Sequence, residues 1–162
     1  MAWSEWKRFG GGSDEQLLFS GMESSPSDSA HVAVLSSQVV KGELFDEYLS
    51  MDSANKVLTV KKDCTLALIG KVSSYSGSGG TYSQGQVIYN GTALGTYRVS
   101  YIGTGAYKTK SYVKNAVAGD TISAKTPNTE GYPKQALRVY LITNEETTII
   151  NDLATWMNTV SS

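Results

Sequence analysis

Short runs in which apolar and polar residues alternate make up most of the chain from residue 31 onward. The alternation is clearest in Val57–Lys61 and Leu137–Leu141, where one face would be apolar and the other mixed. Because successive side chains of a strand point to opposite faces, this period predicts strands. The predicted strands are His31–Val40, Leu44–Leu49, Val57–Lys61, Thr65–Val72, Gln84–Tyr89, Thr96–Ile102, Lys108–Val117, Thr121–Lys125 and Gln135–Thr143. Their number and spacing predict an all-β fold, an antiparallel β-sandwich or jelly roll.

The first 29 residues depart from this pattern. Trp3, Trp6 and Phe9 recur at a spacing of three, and a triple glycine, Gly10–Gly12, follows them. A stretch rich in Ser comes next, at residues 22–29. Such residues gain little by packing and lose much entropy when ordered, which is typical of linkers. We therefore expect residues 1–29 to form an extended N-terminal arm and residues 30–143 to form the β domain.

The last 19 residues change to a helical period. Asn144 suits a helix N-cap, and the two glutamates after it suit a first turn. Apolar residues then recur at spacings of three and four, which predicts a short C-terminal amphipathic helix over 144–162. They are Ile149, Ile150, Leu153, Met157 and Val160, with Trp156 beside them. This stripe either packs on the sandwich or contacts another subunit or a neighbouring protein.

Composition and charge exclude several classes of protein. The formal net charge of −1 supplies no field that would hold nucleic acid. The single cysteine, Cys64, excludes an intramolecular disulfide and a cysteine-based zinc cluster. No run approaches the roughly 18 apolar residues of a membrane span, and the first residues lack the layout of a signal peptide. We expect neither membrane insertion nor a signal peptide.

Candidate catalytic residues are few. His31 is the only histidine, and no Gly-x-Ser-x-Gly elbow supports a triad built around it. The carboxylate pairs Asp46/Glu47 and Glu145/Glu146 are sequence neighbours, whose side chains diverge in a strand or a helix. The sequence therefore predicts a protein that is not an enzyme, without metal or cofactor.

Residues 64–119 contain no acidic residue but five basic residues and seven tyrosines. Tyr supplies rigid amphipathic area and Lys or Arg supplies charge, which favours a contact surface. The loop 73–83 consists only of Ser, Tyr, Gly and Thr, the residues of adaptable binding loops. The alternative is that these tyrosines are ordinary strand residues and the loop an ordinary connection. The candidate ligand-binding residues are Tyr75, Tyr82, Arg98, Tyr107 and Lys108.

Three segments carry a resemblance to a known family. They are Val57–Lys62, the run Gln86–Thr92 with its Asn-Gly turn, and Val117–Ile122 with its Ala-Gly-Asp-Thr-Ile turn. Together they resemble the C1q/TNF-like jelly-roll domains, of the kind found in bacteriophage tail-fibre, baseplate and head-fibre proteins. The resemblance implies a jelly roll that assembles as a homotrimer.

The resemblance also implies a function when it is combined with the predicted arm. Trp3, Trp6 and Phe9 would dock onto other virion proteins, while the jelly roll faces outward and contacts either a host-surface glycan or another capsid or tail protein. We therefore expect a virion structural or adhesion protein, assembled in a bacterial cytoplasm, with no nucleic-acid partner. The alternative is a bacterial carbohydrate-binding or adhesin module. An enzyme of unknown type is a third and weaker reading, because no acid, base and nucleophile converge in the sequence.

Overall fold

The computed structural model describes residues 17–23, 32–73, 82–100, 106–127 and 134–142. Within these ranges the chain forms ten strands and one short helix. They are β1 (Leu17–Glu23), β2 (Ser37–Lys41), α1 (Phe45–Tyr48), β3 (Leu49–Met51), β4 (Leu58–Val60), β5 (Cys64–Ser73), β6 (Tyr82–Tyr89), β7 (Thr92–Ser100), β8 (Tyr107–Ala116), β9 (Thr121–Lys125) and β10 (Lys134–Ile142). The candidate residues Tyr75, Trp3, Trp6 and Phe9 lie outside the described residues, as do His31 and the predicted helix 144–162.

The strands form two five-stranded sheets. Sheet A has the order β2-β1-β10-β5-β8 and sheet B the order β3-β4-β9-β6-β7. Every pairing between these strands is antiparallel. The chain crosses repeatedly between the sheets, since β5 pairs with β10 and β8 whereas β6 pairs with β7 and β9. The predicted all-β antiparallel jelly-roll sandwich is confirmed.

The core lies between the two sheets and follows the period of the strands. In β10 the alternate residues Leu137, Val139 and Leu141 turn inward, as the sequence pattern predicts. Leu66 and Leu68 of β5 meet them from the neighbouring strand. Full burial of such a side chain contributes about 1.5–3 kcal/mol relative to an exposed one. These residues hold the sandwich together without a disulfide.

A buried polar bridge crosses the core. The Tyr97 hydroxyl of sheet B donates to Gln135 Oε1 of sheet A at 3.1 Å, and Gln135 Nε2 donates to the Lys125 carbonyl at 2.7 Å. The ring fits because Gly70 and Gly85 face it. A Cβ atom on Gly85 would lie 2.4 Å from the ring, and one on Gly70 would lie 2.2 Å from its hydroxyl. Burial raises the pKa of Tyr97, so the hydroxyl stays protonated and can donate.

The structure differs from the sequence prediction in three places. The range Leu44–Leu49 contains α1, and only Leu49 enters a strand, because Phe45 turns inward to pack on Phe19 at 6.2 Å between ring centroids. In His31–Val40 only the last four residues belong to β2, and Val32 forms an isolated bridge. Residues Leu17–Glu23 fall within the predicted extended arm 1–29 but form strand β1, because they pair with β10 and β2 in sheet A.

Sheet A is also buried on the face that points away from sheet B. Ala67, Ile69, Tyr140 and Ile142 alternate with the core residues and are nevertheless 0–4% exposed. A bulge in β1 adds Leu17 to this group, while the next two residues face the core. We call these five residues the outer apolar cluster. In the described part of the chain, no helix has the length and apolar character needed to cross a membrane.

Candidate binding surface

The topology gathers four strand ends at one end of the sandwich, which we call the tip. Strand β5 ends at Ser73, opposite Tyr107 at the start of β8. Strand β6 begins at Tyr82, opposite Ser100 at the end of β7. Four of the five predicted candidates lie within two residues of these strand ends, and so does Lys71, which was not predicted. The tip surface is Lys71, Tyr82, Arg98, Tyr107 and Lys108.

Tyr82 and Arg98 form the first pair of the tip surface. The guanidinium carbon of Arg98 lies 4.4 Å from the centroid of the Tyr82 ring, on the outer face of sheet B. The two residues are diagonal neighbours, since Arg98 pairs in register with Gln84. A stacked guanidinium keeps its N–H donors in the plane of the group. The pair therefore offers a flat aromatic area edged by donors.

Tyr107 and Lys71 form the second pair, on the outer face of sheet A. Lys71 Nζ lies 4.4 Å from the centroid of the Tyr107 ring. Tyr107 is 59% exposed, the largest value among the exposed large hydrophobic side chains of the described residues. Lys108 is half-buried, and as the next residue of β8 it points to the opposite face from Tyr107. The structure thus pairs two of the candidates, Tyr82 and Arg98, and it places Tyr107 beside Lys71, which was not a candidate, on the opposite face of the same end.

A groove of about 300 Å³ adjoins the second pair on sheet A. Three basic residues and no acidic residue are among the described residues that line it; the basic ones are Lys71, Lys134 and Arg138. Arg138 donates to the Tyr140 hydroxyl at 3.5 Å. Sequence reasoning missed Lys134 and Arg138. The signal was their alternate placement in β10, on the face opposite to the core residues.

The opposite end, which we call the base, has a different chemistry. Asp120 accepts hydrogen bonds from the Tyr89 hydroxyl, from Asn90 Nδ2 at 2.9 Å and from the Val117 amide at 3.0 Å. Asn90 Oδ1 in turn accepts from the Thr121 amide at 2.9 Å. The Asn-Gly and Gly-Asp-Thr turns singled out in the sequence therefore meet here. The side chains of Asp120 and Asn90 hold these two turns together.

The electrostatics of the base follow from these contacts. The hydrogen bond from Tyr89, and after it those from Val117 and Asn90, hold the pKa of Asp120 below its usual range. Burial, followed by the bond to Asp120, raises the pKa of Tyr89. The base also carries an aromatic–cation pair, in which Lys62 Nζ lies 4.3 Å from the Tyr48 ring centroid.

The described residues hold little that resembles a catalytic centre. Among them, no group of three or more His, Cys, Asp or Glu side chains could hold a metal ion. Burial, together with the neighbouring Asp63, raises the pKa of the Cys64 thiol, which disfavours the reactive thiolate. Asp46 and Glu47 are exposed on α1, where Glu47 pairs with Lys62.

Comparison with known proteins places the fold. No family model and no curated protein matches the sequence. The globular domain of zebrafish complement 1qA protein matches in structure with a TM-score of 0.53 at 10% identity, over 77% of this chain and 96% of that one. The Eiger TNF structure from S. frugiperda matches with a TM-score of 0.50 at 8% identity, over 79% and 94%. The fold is a C1q/TNF-like jelly roll.

The match confirms the fold implied by the resemblance of the three sequence segments. Two of those segments, Gln86–Thr92 and Val117–Ile122, supply the turns that Asp120 ties together at the base. The jelly-roll scaffold thus fixes the base through side-chain hydrogen bonds. It presents the tip surface at the other end, where β5 and β7 end and β6 and β8 begin.

Proposed function

We propose that this chain is a non-enzymatic structural and adhesion protein of a bacteriophage virion. In this proposal it forms a homotrimeric tail or head appendage whose C1q/TNF-like jelly roll binds a host-surface glycan. The observation that carries the proposal is the pairing of Tyr82 with Arg98 and of Tyr107 with Lys71 at one end of the sandwich. Ring faces stack on the apolar faces of sugars, and guanidinium or ammonium donors meet hydroxyl and carboxylate oxygens.

The tip surface also has the charge that an acidic glycan requires. Strands β5, β6, β7 and β8 carry no acidic residue, so their basic side chains have no ion-pair partner on these strands. The loop 73–83, rich in Ser, Gly and Tyr, connects β5 of sheet A to β6 of sheet B in the sequence. Tyr75 in this loop would add a third aromatic contact.

The trimer is supported by the edges of the two sheets. Strand β8 ends sheet A and strand β7 ends sheet B, and they contact each other on the same side of the sandwich. They are ten and nine residues long. Long edge strands invite pairing or cover by another chain. Three copies would raise a weak affinity for a single glycan through multivalency.

The virion role is supported by the aromatic and glycine-rich residues that precede β1 and by the resemblance to phage appendage domains. Trp3, Trp6 and Phe9 supply an apolar anchor that a neighbouring virion protein would bury, and Gly10–Gly12 separates it from the jelly roll. In this arrangement the arm docks to the particle and the tip faces the host.

Light scattering on a sizing column tests the assembly. The chain mass is 17.4 kDa, and we expect a mass of three chains that is constant over a range of protein concentrations. A monomer at all concentrations would contradict the trimer.

Binding to a printed panel of bacterial surface glycans tests the adhesion. We expect the trimer to bind a subset of acidic glycans, with binding weakened about tenfold or more by Tyr75→Ala combined with Tyr82→Ala. Tyr48→Ala at the base is the matched control and should leave binding unchanged. Failure of the parent protein to bind any glycan or any bacterial cell would contradict the adhesion role.

A further inference from the structure

The outer apolar cluster is buried although it faces away from the core. Ala67 is 0%, Ile69 1% and Tyr140 3% exposed in a single chain. An outer sheet face that met water would expose these side chains. The burial belongs to one chain taken alone, so a second copy is not needed to account for it.

None of the described elements lies across this face. Each described strand belongs to sheet A or sheet B, and α1 packs Phe45 on Phe19 in the core between the sheets. The described strands and helix therefore do not account for this burial. The segments 24–31, 74–81, 101–105 and 128–133 all connect to strand ends at the tip. Residues 1–16 and 143–162 instead adjoin the cluster, because Leu17 and Ile142 are members of it.

We propose that residues 143–162 form an amphipathic helix that packs on the outer face of sheet A and buries the outer apolar cluster. The segment leaves the face at Ile142, so it needs only a short turn to run back across the sheet. A helix of residues 144–162 is about 28 Å long, and the ten-residue strand β5 is about 33 Å long. Its stripe of Ile149, Leu153 and Met157 matches an apolar face of that length.

Charge favours this segment over the N-terminal arm. Residues 143–162 contain three acidic and no basic residues, and the groove on the same face presents Lys71, Lys134 and Arg138. Residues 1–16 contain three acidic and two basic residues, so their net charge is closer to zero. The arm also places seven residues that are glycine or polar, 10–16, between its aromatic residues and Leu17.

The inference concerns one chain and does not depend on the proposed function. It assigns the amphipathic stripe to an intramolecular contact rather than to a neighbouring protein. Subunits of a trimer would then meet this face only through the helix that covers it.

Thiol labelling of the full-length chain tests the contact. In a Cys64→Ser background, Ala67→Cys places a thiol in the cluster, Ala124→Cys places one in the core, and Ala93→Cys places one on the exposed edge strand β7. We expect the first two to react slowly and the third quickly. Adding Leu153→Glu with Met157→Glu should raise the labelling rate at Ala67→Cys about tenfold or more, through local opening of the helix.

A matched variant controls for the added charge. Asn151→Glu with Thr155→Glu introduces the same two charges on the opposite side of the predicted helix, and should leave the Ala67→Cys thiol protected. The Ala124→Cys thiol should stay slow in every variant, which reports an intact core. Rapid labelling of Ala67→Cys in the parent would overturn the inference. Protection that survives Leu153→Glu with Met157→Glu would also overturn it. Loss of that protection on deletion of residues 1–16 would then point to the N-terminal arm as the cover, and loss on dilution would point to a second copy of the chain.

Photo-crosslinking supplies a second readout that needs no destabilising change. A photoreactive amino acid at Trp156 should link to a peptide of β5, β8 or β10 within the same chain, whereas the same group at Thr155 should not. A product of twice the chain mass would show instead that the stripe contacts another subunit. The mass of the assembly, measured on the same samples, separates failure of the trimer from failure of this contact.

Discussion

Tyr82 lies beneath Arg98 at the tip, and Tyr48 lies beneath Lys62 at the base, at ring-to-cation distances of 4.4 and 4.3 Å. The surroundings of the two pairs differ. At the base Lys62 also pairs with Glu47, and the turns nearby are tied by Asp120. At the tip the pairs lie on strands without acidic residues. At the base the cation of such a pair is also bound by an acidic side chain of the same chain, whereas at the tip the proposed function assigns this role to an external anion.

The comparison shows where the molecule obtains its rigidity. The base is held by hydrogen bonds between turns, whereas the strands that carry the tip are held by the buried bridge from Tyr97 to Gln135. A binding surface gains affinity when its groups are already in place, because less conformational entropy is lost on binding. The bridge beneath the tip therefore supports the proposed function, and the network at the base supports the fold.

The largest loss of stability is expected from a substitution that fills the space occupied by the Tyr97 ring. Gly85→Ala places a methyl group 2.4 Å from the Tyr97 ring and 2.7 Å from Gln135 Oε1, and we expect a loss of about 2–3 kcal/mol in the free energy of unfolding. Gly91→Ala at the base meets no atom within 4 Å but has a positive φ of 79°, so its expected loss is about 1 kcal/mol. Urea denaturation measures both. The reverse ranking would contradict the account of the tip.

A smaller loss of stability is expected when the Tyr97 hydroxyl is removed. Tyr97→Phe removes the donor to Gln135 Oε1, and leaving that buried acceptor with one partner fewer should cost about 1–2 kcal/mol in the free energy of unfolding. Tyr112→Phe is the matched control, since its buried hydroxyl has no hydrogen-bond partner, and removing an unpaired buried group should leave stability unchanged or raise it. Equal losses in the two variants would show that the bridge contributes nothing specific.

The smallest effect concerns the stability of the fold in acid, to which Asp120 at the base should contribute and Arg98 at the tip should not. The pKa of Asp120 is lowered in the folded chain, so its ionised form stabilises the fold above the unfolded pKa of about 3.9. This stabilisation is lost as the pH falls through the lower, folded pKa. We expect the melting temperature to fall below about pH 4 less steeply in Asp120→Asn than in the parent. Arg98→Ala at the tip should keep the slope of the parent, and an unchanged slope in Asp120→Asn would refute the role of the carboxylate.

The base was predictable from the sequence to a greater degree than the tip. Its turns carry Asn90-Gly91 and Gly119-Asp120, a local signal that also supports the resemblance, and Gly91 and Gly119 adopt the positive φ that such turns require. At the tip the pairing of Tyr82 with Arg98 depends on strand register. That register is set by the packing of the whole sheet, and a single strand sequence does not reveal it.

Three features could not be read from the sequence, for different physical reasons. The strand Leu17–Glu23 gains its stability from non-local pairing with β10, which its own residues do not indicate. The segment Phe45–Tyr48 is turned inward by the contact of Phe45 with Phe19, a tertiary effect that overrides β propensity. Lys134 and Arg138 join Lys71 in one groove only because β10 and β5 are neighbours in sheet A.

The most direct test of the account compares the two aromatic–cation pairs in one binding measurement. Tyr82→Ala with Arg98→Ala removes the pair at the tip, and Tyr48→Ala with Lys62→Ala removes its counterpart at the base. Binding is measured on the panel glycan that the parent protein binds best, with the melting temperature of each variant recorded. The account predicts that the tip variant loses about tenfold or more in affinity with little change in melting temperature, and that the base variant keeps the affinity of the parent. Full binding by a folded tip variant, or equal loss in both, would contradict it.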